Sequence, residues 1–401
     1  MCFNRTTLLA FTMLAGQAAA VAPPPIEEAK KAEELEAIEL ERELGATTAL
    51  QPAPSKSVWA GLIPQMSFIL DVAGAYYTSE PHDGGGHDPS GTGFTFQQLE
   101  LHARSNVDHV FSLDINMVFS PFGVEVEEAV ASTLGLPGGL QFRLGQFLTR
   151  FGRMNPTHPH AWAFVDQSLL RTTFFGSEGS RGLGGEASWL TGLPWYVELS
   201  AAMTEAGGEC CARSFYGGAD VEIDGVEDFL YTLALKQFFD LNDDWSLSFG
   251  LSAQFGPNAS GRDSRTEIYG ADLYLRFRPV ASTARRAVSL AVESMFRTQQ
   301  VPNDVRQDIG VHAELVADLT QQWQIGGRYE YLSGILDAPS TSVDDSERHR
   351  GSLQVTYFPS HFSRLRLQGN HDRSAAPGVD AIWAGILSVE FTIGAHGGHA
   401  F

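Results

Sequence analysis

The sequence predicts an all-β fold, a transmembrane antiparallel β-barrel of about sixteen strands, within a range of about 14 to 18. Large apolar side chains alternate with polar or small ones along many segments, most of them 9 to 14 residues long. In the segment 111–119, for example, every odd position is apolar. Such alternation indicates strands with one apolar face, and this length suits a tilted crossing of a bilayer. After residue 20, no apolar run of about 18 residues occurs, so a membrane-spanning chain would have to form a closed barrel.

The spacing of the strands favours a barrel over a soluble sandwich. The predicted strands occupy residues 64–78, 93–106, 109–119, 124–132, 139–149, 182–190, 194–203, 228–239, 244–255, 266–278, 286–297, 306–318, 322–333, 348–358, 362–370 and 381–393. Short turns mostly alternate with longer polar intervals, as in bacterial outer-membrane barrels with tight periplasmic turns and long outer loops. If the first strand ascends, both termini lie in the periplasm and the long intervals lie outside. These intervals are 79–92, 150–181, 204–227, 256–265, 334–347 and 371–380.

The charge balance excludes nucleic acid as a partner. The 401 residues include 27 Lys and Arg against 48 Asp and Glu, a formal net charge of −21. Such a chain has no electrostatic footprint for DNA or RNA.

The cysteines offer no disulfide framework. Of the three, Cys210 and Cys211 are neighbours in the chain, and a disulfide between neighbours closes no useful loop. We therefore expect two thiols without a structural role in a loop, with a redox or metal role as the alternative.

The first 57 residues are expected to precede the barrel domain, which we place at residues 58–401. Residues 1–20 resemble a signal peptide, because Arg5 is followed by a short apolar run and a small-residue cleavage site. Residues 21–57 are expected to form a periplasmic helical extension and a linker. Within the extension, residues 26–44 are strong helix formers with a rough apolar stripe, which favours either a short oligomeric coiled coil or a solvated helix.

Charged side chains of both signs occupy the predicted inner face of the barrel. A polar lumen of this kind suits a water-filled channel. Opposite charges on neighbouring strands could equally pair and stabilise the wall, and the two interpretations are compatible. The candidates for the pore-lining wall are Arg104, Arg143, Asp114, Glu100 and Arg328.

The third outer loop, residues 150–181, differs from the others in its apolar content. Its 32 residues carry seven large apolar side chains: Phe151, Trp162, Phe164, Leu169, Leu170, Phe174 and Phe175. An apolar loop of this length must pack against something, and we expect it to fold into the barrel and to narrow the lumen. The candidates for the pore constriction are Arg150, Arg153, His158, His160, Asp166, Arg171 and Glu178.

The charges of this loop also predict ion selectivity. The loop carries four arginines and two carboxylates, a net charge of +2 in an acidic chain. Distant charges are screened beyond about 8 Å at physiological salt, whereas those at a constriction act at contact range. We therefore expect a weak preference for anions at high salt, carried by Arg150, Arg153 and Arg171, which shifts toward cations in dilute salt as the acidic outer loops act.

One stretch of the sequence resembles a known family. The residues that carry the resemblance are Gly145, Phe147, Phe151, Gly152, Asn155, His158, Pro159, His160, Asp166, Phe175, Gly176, Glu178 and Gly179. With them, residues 127–190 resemble Gram-negative outer-membrane proteins described as phosphate-selective porin O/P-like proteins or as zinc-regulated outer-membrane receptors, and the ending 394–401 is similar as well. The resemblance implies a porin-like barrel in outer-membrane lipid, often a homotrimer, with residues 150–181 as the constriction. In the family, phosphate-selective pores are lined by rows of lysines, but Lys236 is the one lysine of this chain after residue 56. The composition therefore argues against selectivity for phosphate, although arginine could replace lysine in part.

Together these features predict passive diffusion of small hydrophilic solutes or ions through an outer-membrane barrel, with no cofactor and no enzymatic activity. A zinc-responsive uptake channel or receptor is the alternative, and its weak candidate metal ligands are His158, His160, His396 and His399. A zinc site needs three or four ligands, which a pair of histidines does not supply. A barrel hydrolase is less favoured, because no spacing matches a nucleophile elbow.

Overall fold

The structure is a computed structural model, and it describes residues 64–394 apart from positions 83, 122, 209, 220–222, 262 and 281–285. The expected signal peptide, the helical extension 21–57 and the histidines at 396 and 399 lie outside the described residues.

Sixteen antiparallel strands form a closed barrel in which each strand pairs with its neighbours in sequence and β16 pairs with β1. The strands are β1 (Gln65–Tyr77), β2 (Gly93–Asn106), β3 (Phe111–Ser120), β4 (Gly123–Thr133), β5 (Leu140–Leu148), β6 (Arg181–Leu190), β7 (Tyr196–Thr204), β8 (Leu230–Asp240), β9 (Trp245–Pro257), β10 (Arg265–Phe277), β11 (Ala287–Val301), β12 (Asp304–Asp318), β13 (Trp323–Leu332), β14 (Arg348–Ser360), β15 (Ser363–Ser374) and β16 (Ile382–Gly394). The predicted number and order of strands are confirmed. One helix, α1 (Leu169–Phe175), and three 3-10 turns (Pro137–Gly139, Pro159–Ala161 and Val226–Asp228) lie between described strands.

The end of β15 differs from the prediction. The polar pair His371-Asp372 was expected to begin an outer loop, but the strand continues to Ser374. Asp372 faces inward and accepts hydrogen bonds from Arg348 and Arg350 of β14. His371 and Asp372 therefore belong to strand β15 and not to the loop that follows it.

The two faces of the wall follow the predicted alternation. In β1, for example, Ser67, Ile69 and Asp71 are buried inside, whereas Phe68 points outward and is exposed. Large apolar side chains such as Leu353 and Trp383 are exposed on the outer face, as a lipid-facing surface requires. Among the described residues, no helix is long and apolar enough to cross a membrane.

The connections at the two ends of the barrel differ in length. At one end they are residues 107–110, 134–139, 191–195, 241–244, 278–286, 319–322 and 361–362. At the other end they are residues 78–92, 121–122, 149–180, 205–229, 258–264, 302–303, 333–347 and 375–381. Aromatic pairs lie at the short-turn end, with ring centroids 4.9 Å apart for Trp245 and Phe277 and 4.8 Å apart for Trp323 and Tyr357. Aromatic side chains at strand ends are typical of the interfacial girdle of a membrane barrel.

Replacing Leu353 with arginine should destabilise the barrel by about 2–4 kcal/mol, because a charge in the middle of the lipid-facing surface is costly. Leu353 lies near the middle of β14 and is 73% exposed. The control is Val305→Arg near the outer end of β12, which should cost only about 0–1 kcal/mol. Reversible urea unfolding in lipid vesicles measures both, and equal costs would contradict the assignment of the lipid-facing band.

Candidate functional site

Residues 149–180, here called the inner loop, lie inside the barrel against inward-facing side chains of the wall. Their apolar side forms a buried cluster with wall residues of β8, β10, β11 and β13 and with the outer loop 205–229. The cluster consists of Phe151, Leu169, Leu170, Phe174, Phe175, Ala206, Ala212, Phe215, Leu230, Ile268, Met295 and Leu332. Burial of this much apolar surface stabilises the inward position of the loop.

Two wall glycines make room for the apolar side of the inner loop. A Cβ atom at Gly270 would lie 2.6 Å from the ring of Phe151, and one at Gly310 would lie 2.3 Å from Cδ1 of Leu170. Real side chains do not approach so closely, so larger residues at these positions would push the loop away from the wall.

The carboxylate of Asp166 connects the inner loop to three strands. It accepts hydrogen bonds from Arg328 of β13 at 2.5 Å, from Arg350 of β14 at 3.2 Å, and from Gln368 and Asn370 of β15 at 2.5 and 2.8 Å. Asp166 is only 6% exposed. It therefore holds the inner loop to the wall, whereas the sequence had led us to expect a charge that faces the constriction.

Wall carboxylates also bind backbone amides of the inner loop. Glu330 accepts from the hydroxyl of Ser168 at 2.6 Å and from the amide of Leu169 at 2.8 Å, which places a negative charge at the start of α1. Glu293 accepts from the amides of Arg153 and Met154 at 3.1 and 3.0 Å. These contacts satisfy donors that have no partner within the loop.

The two loop histidines contact the opposite side of the wall. The ring of His158 lies 3.2 Å from a carboxylate oxygen of Glu127 and 2.9 Å from one of Glu128, and His160 lies 2.7 Å from Glu100. Burial alone would lower the pKa of His158, but its hydrogen bonds to the two glutamates outweigh burial and raise the pKa well above its ordinary value. These histidines therefore pair with carboxylates of β2 and β4.

Residues 78–92, the first of the intervals expected to lie outside and here called the first outer loop, cover the inner loop. The carboxylate of Asp88 accepts from the amides of Gly85 at 2.6 Å and Gln167 at 2.9 Å. Burial, together with the charge of Asp166, raises the pKa of Asp88 to about 6.

The outer loop 205–229 also lies against the inner loop, and it contains a disulfide between Cys210 and Cys211. This pairing contradicts the expectation of two free thiols. The carbonyl of Cys210 accepts from the amide of Glu178 at 2.8 Å, and the carbonyl of Cys211 accepts from the amide of Arg181 at 3.4 Å. The disulfide of Cys210 and Cys211 therefore closes no long loop, but its backbone takes part in the contact between the outer loop 205–229 and the end of the inner loop.

The three arginines expected to carry selectivity have different surroundings. Arg171 is 4% exposed and donates to the side chain of Gln167 and to the carbonyl of Glu178, so it belongs to the interior of the loop. Burial lowers the pKa of Arg171 to about 10. The sequence had led us to expect Arg171 to face the pore, and its burial points to a role within the inner loop. The guanidinium of Arg171 donates hydrogen bonds within the inner loop and so helps to fix its conformation.

The positive charge of Arg150 is balanced by two carboxylates. It pairs with Glu198 and, at 3.0 Å, with Glu186, which in turn lies 2.9 Å from Arg143. Two arginines and two glutamates thus form one network on β5, β6, β7 and the loop. Arg153 differs, since its guanidinium lies 3.6 Å from the ring centre of Tyr274 and no salt bridge to it is found among the described residues.

The four predicted wall residues other than Arg143 fall into two groups. Glu100 and Arg328 are almost fully buried because they contact the inner loop. Asp114 and Arg104 remain accessible: the Arg104 side chain is 56% exposed and lies 3.7 Å from Asp114. Sequence reasoning missed Arg350, Gln368 and Asn370, although their inward alternation on β14 and β15 was a usable signal.

Spaces lie on both sides of the inner loop. At the short-turn end, a cavity of about 830 Å³ is lined by Asp240, Ser246, Arg276, Arg278 and Arg286, among others. On the other side, between the first outer loop and the inner loop, a cavity of about 200 Å³ is lined by residues that include Tyr77, Asp88, Asp166, Arg350 and Asn370.

The comparison with known proteins assigns the chain to a family. No family model matches the sequence. A protein of Aquifex aeolicus (strain VF5), described as uncharacterized, is 30% identical over 353 residues, which cover 80% of this chain and 73% of that protein. The chain belongs to the same family as this Aquifex protein. The resemblance to phosphate-selective or zinc-regulated proteins rests on the residues quoted above alone.

Several solved outer-membrane channels and porins share the barrel fold of this chain. The outer-membrane channel DcaP of Acinetobacter baumannii is 11% identical, with a TM-score of 0.55 over 82% of this chain and 97% of DcaP. The anion-selective porin from Comamonas acidovorans is 13% identical, with a TM-score of 0.53 over 82% and 99%. OprB of Pseudomonas putida is 11% identical, with a TM-score of 0.52 over 82% and 94%. At these identities the likeness shows the fold, and the predicted porin-type barrel is confirmed.

Asp166→Asn should destabilise the protein by about 3 kcal/mol, because it leaves the buried guanidinium groups of Arg328 and Arg350 without the charge they share. The control, Asp344→Asn in an exposed outer-loop ion pair, should change stability by no more than about 0.5 kcal/mol. Urea unfolding in vesicles measures both, and an Asp166→Asn protein as stable as the control would show that the loop does not depend on this carboxylate.

Proposed function

We propose that the chain is a bacterial outer-membrane porin through which small hydrophilic solutes and ions diffuse passively. One observation carries the proposal: a long loop lies inside a closed barrel, with its apolar side on the wall and a cavity on each side of it. A barrel of this size without an inserted segment would hold a wide aqueous channel. The loop therefore acts as the constriction, and the remaining polar surface of the lumen carries the solute.

The porin and channel descriptions of DcaP, OprB and the Comamonas porin support this proposal. The asymmetry of the connections supports an orientation with the short turns, and hence both ends of the described chain, in the periplasm. Conduction needs no reaction and no cofactor, because the filter is electrostatic and steric.

We propose that Arg153 is the main determinant of a weak anion preference. Arg150 and Arg143 share their positive charge with two glutamates, and Arg171 is enclosed in the loop. Arg153 is partly exposed, its guanidinium lies against the ring of Tyr274, and it lines a third cavity, of about 100 Å³, beside the inner loop. Asp272 and Glu314 are within electrostatic reach of it, but among the described residues neither forms a salt bridge with it. A charge that keeps access to water and has no directly bonded carboxylate acts most strongly on a passing ion.

Deleting residues 158–175 should raise the single-channel conductance in planar bilayers several-fold, because the segment that narrows the lumen is removed. The variant should remain a heat-modifiable barrel on gels, since the sixteen strands are untouched. Conductance equal to that of the parent in a folded variant would place the narrowest point elsewhere.

Arg153→Gln should move the reversal potential in asymmetric salt toward cation selectivity. The matched control is Arg265→Gln, which removes the same charge from an exposed position at the end of β10, on the opposite face from the buried Thr266 and Ile268. Charges outside the lumen are screened at salt concentrations of about 0.1 M, so the control should keep the parent's potential. If Arg153→Gln behaved like Arg265→Gln, the guanidinium would only pack on Tyr274.

A further inference from the structure

Three segments that are distant in sequence meet at a cluster of one histidine and two carboxylates. His87 comes from the first outer loop, Glu127 from β4 and Glu178 from the end of the inner loop. Nε2 of His87 lies 3.2 Å from Oε1 of Glu127 and 3.3 Å from Oε2 of Glu178, and one ligand atom from each residue lies within 4.8 Å of the others. All three side chains are largely shielded from solvent.

The two distances from Nε2 of His87 are close to those between neighbouring ligand atoms in the first coordination sphere of a zinc ion. Zinc binds nitrogen and oxygen ligands at about 2.0–2.1 Å in a tetrahedron, which sets neighbouring ligand atoms about 3.3 Å apart. We propose that His87, Glu127 and Glu178 bind one Zn²⁺ ion, with a water molecule as the fourth ligand. Imidazole and carboxylate ligands together favour a first-row transition metal over Ca²⁺ or Mg²⁺, which prefer oxygen ligands alone.

The surroundings of the cluster orient its ligands as a metal site requires. Nδ1 of His87 lies 3.3 Å from the backbone carbonyl of Gln97, so a proton on Nδ1 leaves the lone pair of Nε2 directed at the two carboxylates. The side-chain amide of Gln97 donates in return to the carbonyl of His87 at 3.0 Å. A metal-bound histidine commonly donates its second nitrogen to a backbone carbonyl in this way.

A glycine beside the cluster leaves room for one of its carboxylates. Position 86 is a glycine, and a Cβ atom there would lie 1.7 Å from Oε1 of Glu178. A larger residue would displace this carboxylate from His87.

The bound ion connects the first outer loop and the inner loop to β4. It is a resident structural ion of the barrel and not a transported solute, because its ligands are shielded and fixed by the wall. The site therefore stands apart from the proposed diffusion function: a barrel that conducts ions could lack it, and a barrel that holds zinc here could be closed.

Zinc titration of the untagged, chelator-treated, refolded barrel tests the proposal. Calorimetry and elemental analysis should give one Zn²⁺ per chain, unaffected by excess Mg²⁺. His87→Ala and Glu178→Gln should each weaken binding by at least about 100-fold, and Gly86→Ala should weaken it by at least about 10-fold without removing a ligand.

Two controls separate this site from other histidines. His349→Ala removes an exposed histidine paired with Glu347, and the double variant His396→Ala/His399→Ala removes the terminal pair; both should keep the parent's affinity. Heat modifiability on gels confirms that each variant is folded, and Zn²⁺ should raise the Tm of the parent but not that of His87→Ala. The absence of stoichiometric binding in the parent, or unchanged binding in both His87→Ala and Glu178→Gln, would overturn the proposal.

Discussion

The buried carboxylate of Asp166 is the contact on which the interior of this barrel depends. The wall of β13, β14 and β15 presents arginines that a dry interior cannot tolerate alone, and one aspartate of the inner loop satisfies two of them together with two amides. Without this carboxylate, the buried guanidinium groups of Arg328 and Arg350 would lose the partner they share and keep only Glu330 and Asp372. The charged wall thus selects the inward position of the loop, and the loop in turn makes a charged wall stable.

The apolar side of the inner loop is held in place by burial and not by charge. Phenylalanines and leucines cannot remain in an aqueous lumen, and the wall offers them glycines at 270 and 310 together with buried aliphatic side chains. The first outer loop and the outer loop 205–229 then cover the loop from the outside through Asp88 and the backbone of Cys210 and Cys211. Most loop charges therefore hold the structure together, which leaves few to act on a solute.

Much of the fold could be predicted from the sequence, because alternation of apolar and polar residues is a local property. The strands and their order follow from it, and the apolar content of residues 150–181 required an inward position. The partners of the loop charges could not be predicted in the same way. Asp166 binds Arg328 and Asn370, which lie about 160 and 200 residues further along the sequence. How far the loop extends across the lumen decides these pairings. The burial of Arg171 could not be predicted for the same reason, because a charged residue is expected to be exposed unless its partners are known.

Solute exclusion in planar bilayers tests the central claim, that the inner loop narrows an open diffusion path, most directly. The single-channel conductance of the parent protein is measured in the presence of polyethylene glycols of increasing size. The account predicts an ohmic conductance that rises with salt concentration, falls when small polymers enter the pore, and recovers above a sharp size limit set by the loop. The absence of any ohmic conductance from folded, inserted barrels would contradict it, because the inner loop would then be a plug that closes the lumen.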